Sequence, residues 1–573
     1  MPEAVPVISN SETLLAMAKN WWQLTLVFLI LGLMPGMSHQ AALADSDYYT
    51  AGVVEFRQSI LSLSAWSDAL ESYVEIIHSE NASATDIIVF PESTLNSAGS
   101  TTFVPNPEDQ INPCLSDANF TVYEEFLVTL SCAARNASKY IVINLTEKQK
   151  CEDVPEDTRP CASNGLNVFN TNVVFDREGV VVSRYRKVHL YGEAKNNTYL
   201  PELSTFETDF GVTFGHFICF DILFYTPAHQ LIEEQGITDF VYPAMWFSQL
   251  PFLTAVQTQQ GWAYSNDVNL LASGASRPSI GNSGSGIYHG RSGTLTSVMR
   301  QDSGERAIYV AQVPKYTRSR SVQKRVRRST PEINSRQVAS TTSFYMKRDY
   351  VQNYESELIQ FGEGTSGAIN RTICHGSFCC NFDIAWRSLG TAVENGSYYS
   401  YRLGTYDGWR NEQQVDANYI RNCGLFTCSG DSIDDCGKLL PIEGELQQSR
   451  VNFTRLEIGV TYPESREFLL FPDTLQDNLL PLEPNQFDWS QQKPTEDSYV
   501  HEVRFALKEN QELSNLLTFA IYGNYYDNVC TFGVGTEEEQ LACGYKSGSN
   551  RLTTLGGWLI MPLVILVTAW TRA

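Results

Sequence analysis

At 573 residues, 43% of them hydrophobic, the chain can fill more than one core, which excludes a disordered protein or a single small module. A formal charge of −24, from 65 acidic residues against 41 Lys and Arg, excludes a nucleic-acid binder and adhesion to anionic lipid by charge. Both ends of the chain read as address labels rather than fold.

In chain order, Lys19 precedes the apolar run "WWQLTLVFLILGLM" (Trp21 to Met34), and "AALA" (Ala41 to Ala44) follows it. That order predicts a signal peptide over residues 1–44, cleaved before Asp45; the alternative is an anchor that stays in place. From 45 to 315 strands and helices alternate. "AGVVEF" reads as a strand, and "SAWSDALESYVEIIHSE" places Trp66, Leu70, Tyr73, Val74 and Ile77 at helical spacing. "TDIIVFPE" and "KYIVINL" are continuous apolar strands of the type buried on both faces. "NTNVVFDREGVVVSRYRK" is a hairpin turning at "DREG". "GHFICFDILF" reads as a strand leading into the helix "TPAHQLIEEQG", capped by Thr226, with Pro227 in its first turn and Gly236 at its end. "TDFVYP" is the next strand. The pattern is an α/β layered domain with a mixed sheet.

Residues 316–335 form a basic, Ser-rich linker in an acidic chain. Its "RVRR" (Arg325 to Arg328) is either solvated surface or a processing site for a protease with an acidic cleft. Residues 336–546 are cysteine-rich, with strands such as "RLEIGVTY" and "SYVHEVRFALK", and predict a second, mostly β domain. At the end, Ser547, Gly548 and Ser549 precede a polar spacer and an apolar tail, Leu555 to Trp570. That order over 547–573 predicts exchange of the tail for a GPI lipid; the alternative is a membrane-spanning helix, against which Gly556, Gly557 and Pro562 argue. Eight N-x-S/T sequons, at Asn81, Asn119, Asn136, Asn144, Asn196, Asn370, Asn395 and Asn452, predict a glycosylated ectodomain.

Thirteen cysteines are an odd number. With Cys219 set aside, the four before it and the eight after it can pair among themselves, the default in an oxidising compartment. "CHGSFCC" (Cys374 to Cys380) admits a zinc reading through His375, but adjacent cysteines in a secreted chain favour disulfides.

A spare thiol in a secreted chain is a packing residue, a partner for another chain or a nucleophile, and a nucleophile needs a base beside it. Glu92 follows "DIIVFP", Lys187 ends the hairpin strand and Cys219 sits late in its own predicted strand. Ligands bind at the carboxyl ends of strands in such sheets, so the three can meet in one crevice. Singly, each has an ordinary explanation: a loop carboxylate, a surface cation, a small buried hydrophobe.

"FPE" after an apolar strand, "YRKVHLYGE" after the hairpin and "CFDILF" before a helix resemble the Glu-Lys-Cys framework of the nitrilase superfamily. "FNTNVVFDREG", "FICFDILF…PA" and "GSGIY" narrow the resemblance to the vanin and biotinidase family of secreted or GPI-anchored amidases, from about residue 46 onward. The resemblance implies an αββα sandwich followed by a vanin-type C-terminal domain. It implies Glu92 as proton acceptor and donor, Lys187 as stabiliser of the tetrahedral intermediate and Cys219 as nucleophile. Glu193 is expected to orient Lys187, and Trp246 is expected either to wall the substrate pocket or to be ordinary core. The implied activity is hydrolysis of a linear small-molecule amide at the outer face of the cell membrane, pantetheine to pantothenate and cysteamine first. A biotinidase-like amidase and a non-catalytic anchored glycoprotein are the alternatives. No metal, organic cofactor or nucleic acid is called for.

Overall fold

The computed structural model describes residues 42–58, 65–97, 99–115, 122–316, 345–362, 364–390, 398–412, 415–440, 449–463, 468–494 and 500–545. The signal peptide up to residue 41, almost all of the basic linker, the GPI signal with Ser547, Gly548 and Ser549, and the sequons Asn119 and Asn395 lie outside them.

The first half is built from β1 (Tyr48–Phe56), α1 (Ala65–His78), β2 (Ile87–Val89), α2 (Glu125–Ala137), β3 (Tyr140–Lys150), β4 (Leu166–Phe175), β5 (Val181–Arg186), β6 (Thr205–Glu207) and β7 (Thr213–His216). It continues through α3 (Gln230–Gln235), β8 (Asp239–Ala244), β9 (Gln249–Leu250), α4 (Ala255–Asn266), β10 (Asn269–Gly274), β11 (Ser285–His289), β12 (Thr294–Val298) and β13 (Arg306–Pro314). Two six-stranded mixed sheets form, ordered β13-β1-β2-β3-β4-β5 and β12-β11-β10-β8-β7-β6.

Side chains alternate across a strand, so a continuous apolar strand must be covered on both faces. Ala51, Val53, Ile87 and Val89 of the first sheet meet Phe214, Val241 and Leu271 of the second. Their neighbours Val54, Phe56, Ile88 and Phe90 face the opposite way, onto Leu70, Tyr73 and Ile77 of α1 and Phe126 and Leu130 of α2. On the second sheet, Phe240, Tyr242 and Leu270 turn outward onto Leu231 of α3 and Trp262 of α4. The result is the αββα sandwich that the resemblance implied, and it contains the layered α/β arrangement with mixed sheets that the strand pattern predicted. The turn between β4 and β5 is the expected one. Asp176 accepts from the amides of Glu178 and Val180 at 3.0 and 2.8 Å, and Gly179 adopts φ +86° where a Cβ would lie 2.4 Å from the Ser131 carbonyl oxygen.

The second half is a sandwich of two antiparallel five-stranded sheets. Leu425, Leu470 and Ile521 of one sheet and Phe382, Leu456 and Phe505 of the other fill its core. The intervening residues Phe426, Phe471 and Tyr522 join the core beneath α4, so one sheet of the C-terminal sandwich serves both halves. Gly261 permits this approach: a Cβ there would lie 2.4 Å from the Phe471 ring.

Six disulfides, Cys114–Cys132, Cys151–Cys161, Cys374–Cys379, Cys380–Cys423, Cys428–Cys436 and Cys530–Cys543, account for twelve cysteines and leave Cys219 free and buried. Cys374 and Cys379 are bridged, and His375 Nδ1 accepts the Asp407 amide, so the zinc reading of that stretch does not hold.

Two further expectations need correction. The strand read over residues 215–224 stops at His216, and the chain turns through a 3-10 segment, Cys219–Leu223; α3 then begins only at Gln230 after a wider turn, although Gly236 ends it as expected. Of the described sequons, Asn81, Asn136, Asn196 and Asn370 are exposed. Asn144 is 1% exposed on β3, with both side-chain atoms hydrogen-bonded in the interior, so a glycan there is incompatible with this fold. Asn452 is also buried and donates to Glu512.

Candidate active site

Parallel pairing of β1, β2 and β3 aims their carboxyl ends at one edge of the first sheet. Glu92 leaves β2 there, after Phe90 and Pro91, and is buried. Its Oε1 accepts from Lys187 Nζ and from Asn170 Nδ2, each at 2.7 Å, and its Oε2 accepts the Met245 amide at 2.7 Å. Lys187 is the first residue beyond β5 and is also buried. Its ammonium donates to Glu193 Oε1 at 2.5 Å, so it lies between two carboxylates. Lys195 Nζ adds a second cation 3.5 Å from Glu193.

Cys219 stands at the first position of the turn after β7, with φ +48°, a left-handed conformation that a non-glycine residue adopts at a cost. Asp221 holds the turn: its Oδ2 accepts from the Ile218 amide at 3.0 Å and the Tyr185 hydroxyl at 2.7 Å, and its Oδ1 from the His189 amide at 2.8 Å. Tyr242 donates to the Cys219 carbonyl at 2.8 Å. The Glu92 carboxylate, the Lys187 ammonium and the Met245 amide all act on the thiol.

Burial, then the Glu92 charge, pushes the Cys219 thiol well above the ordinary range, with Lys187 acting the other way. At neutral pH the sulfur therefore carries its proton. For Lys187, burial opposes the charge, but Glu193 and Glu92 together overrule it and keep the ammonium protonated. Burial likewise raises Glu193, and Lys187 with Lys195 brings it well below the usual carboxylate range.

The structure thus brings Glu92, Lys187, Glu193 and Cys219 to one point. Trp246 is buried, with Nε1 donating to the Leu253 carbonyl at 2.9 Å, and belongs to the apolar cluster around the turn. Sequence reasoning missed Asn170, which donates to both Glu92 and Glu193 at 2.7 Å, and Asn144, which donates to Asn170 Oδ1 at 2.7 Å and accepts from the Ser93 amide at 2.9 Å. A signal existed: Asn is disfavoured inside strands, yet it interrupts both "IVINL" and "FNTNVVF". Asp221 and Tyr242 gave no such sign. Among the described residues no cluster of His, Cys, Asp or Glu is arranged to hold a metal ion.

A buried carboxylate, an ammonium and an unbridged thiol thus meet at the edge of an αββα sandwich. The carbon-nitrogen hydrolase family model matches residues 50–282, and the vanin C-terminal domain model residues 344–529. The chain is 88% identical to vanin-like protein 1 of Drosophila melanogaster over 97% of its own length and 100% of that protein's. It is 29% identical to biotinidase of Takifugu rubripes, over 77% of this chain and 84% of that one. A solved structure from Saccharomyces cerevisiae, described as a member of the nitrilase superfamily, aligns at 18% identity with a TM-score of 0.37 over 48% of this chain and 93% of its own. The chain belongs to the vanin-like family of carbon-nitrogen hydrolases. It is a hydrolase acting on amide carbon–nitrogen bonds.

Proposed function

We propose that this hydrolase cleaves pantetheine to pantothenate and cysteamine, through a thioester on Cys219, at the outer face of the cell membrane to which a GPI lipid holds it. The observation that carries the chemistry is the buried Lys187–Glu92 pair, 2.7 Å apart, with both of its charges acting on the free, buried Cys219 thiol.

Glu92 takes the thiol proton as sulfur attacks the amide carbon, so the nucleophile is unmasked only when substrate is present. The Lys187 ammonium stabilises the oxyanion of the tetrahedral intermediate; one such donor is typically worth about 3 kcal/mol. The carbon–nitrogen bond breaks as Glu92 returns the proton to the departing amine. Glu92 then deprotonates water, hydroxide attacks the thioester, and the sulfur leaves with a proton. Glu193 and Asn170 orient Lys187 and Glu92 throughout.

Pantetheine is preferred over biotinyl-lysine because the relatives at high identity are vanin-like, whereas the biotinidases stand at 29%. The alternative keeps the mechanism and changes the acyl group. Purified ectodomain incubated with pantetheine and with biocytin separates the two: amine release from pantetheine, abolished by Cys219→Ala, is expected. Release from biocytin alone rejects the substrate assignment, and turnover that survives Cys219→Ala rejects the nucleophile. Release from cells by phosphatidylinositol-specific phospholipase C tests the anchor.

A further inference from the structure

Besides Glu92, two short segments carry the groups assigned to chemistry, residues 187–193 with Lys187 and Glu193, and 219–223 with Cys219. Along the first, Lys187 and Glu193 turn toward Glu92, whereas His189 and Tyr191 turn toward the C-terminal sandwich. His189 Nδ1 lies 2.9 Å from Asp416 Oδ2, and its ring stacks on Phe224 with centroids 3.8 Å apart. The Tyr191 hydroxyl donates to the Glu412 carboxylate and accepts from Lys347 Nζ at 2.6 Å, and its ring meets Phe220 edge-on at 5.1 Å.

Glu412 is itself held fast, by Arg410 and by Gln249 Nε2 at 2.5 Å. Burial opposes its charge, and Arg410, Tyr191 and Lys347 overrule that opposition. On the second segment, Asn524 Nδ2 donates to the Leu223 carbonyl at 2.7 Å, and the Asn418 amide occupies Asn524 Oδ1. Asp416, Glu412, Lys347 and Asn524 all come from the C-terminal half.

We propose that the C-terminal sandwich completes the active centre. Asp416 and Glu412 are positioning residues that set the segment bearing Lys187 and Glu193, and Asn524 sets the turn bearing Cys219. The proposal rests on the roles given above to Glu92, Lys187 and Cys219, and extends them to a half of the chain that supplies no reacting group. A reacting geometry must be held to a fraction of an ångström, which side chains locked by buried ion pairs and hydrogen bonds achieve. The Lys187 ammonium lies between two carboxylates, so a small rotation of its segment moves it off the oxyanion position while leaving it ion-paired.

The test uses the full chain carrying Asp416→Ala, Glu412→Ala or Asn524→Ala, with Asp416→Asn and Glu412→Gln as conservative versions. Gln260→Ala is the control, because it removes a 2.7 Å contact between the halves, to the Leu482 carbonyl, away from both segments. Three quantities are read: the rate of Cys219 alkylation by iodoacetamide, kcat and KM for pantetheine, and Tm. The alanine variants should alkylate about 5-fold more slowly and lose about 10- to 100-fold in kcat with little change in KM. The conservative versions should recover part of both, to within about 3-fold of wild-type alkylation. Gln260→Ala should lower Tm and leave alkylation unchanged. Wild-type alkylation and kcat in the alanine variants, or equal slowing in Gln260→Ala, would overturn the proposal. If wild type leaves pantetheine intact, the substrate assignment fails and alkylation still decides this inference. If the alanine variants do not accumulate, Asp416→Asn and Glu412→Gln decide instead: alkylation about 2- to 3-fold slower than wild type supports the proposal, and a rate indistinguishable from wild type overturns it.

Discussion

Two glutamates leave the carboxyl ends of adjacent parallel strands, Glu92 after β2 and Glu55 near the end of β1, and both are buried. Glu92 is met by the Lys187 ammonium. Glu55 is met by hydroxyls: Ser283 and Ser285 donate to it at 2.6 Å each, and the Gly284 amide at 3.3 Å. Burial pushes the Glu55 pKa up to about 7, with the serine hydrogen bonds acting against that rise. Hydrogen bonds alone soften the cost of burying a carboxylate, and a contacting cation removes far more of it. One buried acid is therefore paired with a cation, whereas the other is held by neutral donors alone and titrates near neutrality.

The largest effect that separates them is on turnover. Glu92→Gln should lower kcat by at least about 10³-fold, the scale for losing a group that moves the proton in each step, whereas Glu55→Gln should change kcat by less than about 3-fold. Steady-state rates on one amide substrate check both, and equal losses would erase the distinction. Next, Lys187→Met makes Glu92 resemble Glu55. A loss of about 10²- to 10³-fold in kcat is expected from the missing oxyanion donor.

Asn170→Ala should cost about 10-fold in kcat by freeing Glu92 and Glu193 at once, with thermal stability close to wild type. The smallest effect concerns Glu55 and stability. Its folded pKa of about 7 exceeds the ordinary glutamate value, so the folded state binds more protons between those limits. Stability should then fall as pH rises from about 4.5 to 7 and level off above, a loss on the order of 1–3 kcal/mol. Melting temperatures from pH 5 to 8 should show this slope in wild type and a flatter one in Glu55→Gln.

Much of this was legible in the chain. The strands "AGVVEF" and "TDFVYP", the "DREG" hairpin and the helix over 65–78 all follow from periodicity and turn chemistry, and each is present. The placement of Glu92 after a buried strand and Lys187 after a hairpin strand followed from the same reading. The turn at Cys219 did not. Apart from His216 and Asp221, "FGHFICFDILF" is an apolar run, and such a run satisfies a strand as well as a buried 3-10 segment. What ends the strand is Asp221, whose carboxylate takes the backbone amide of Ile218 three residues earlier. Asn170 escaped notice because its two acidic partners lie 78 and 23 residues away, a closure that only the assembled sheet makes.

Each of the six disulfides closes within one half of the molecule, two before Tyr316 and four after Tyr345. Between the halves the ties are non-covalent, among them Phe471 lying on Gly261 and Asn524 on the Leu223 carbonyl. A polypeptide cut anywhere between residues 317 and 344 should therefore travel as one particle on a sizing column. On a denaturing gel it should part into two bands whether or not a reductant is added.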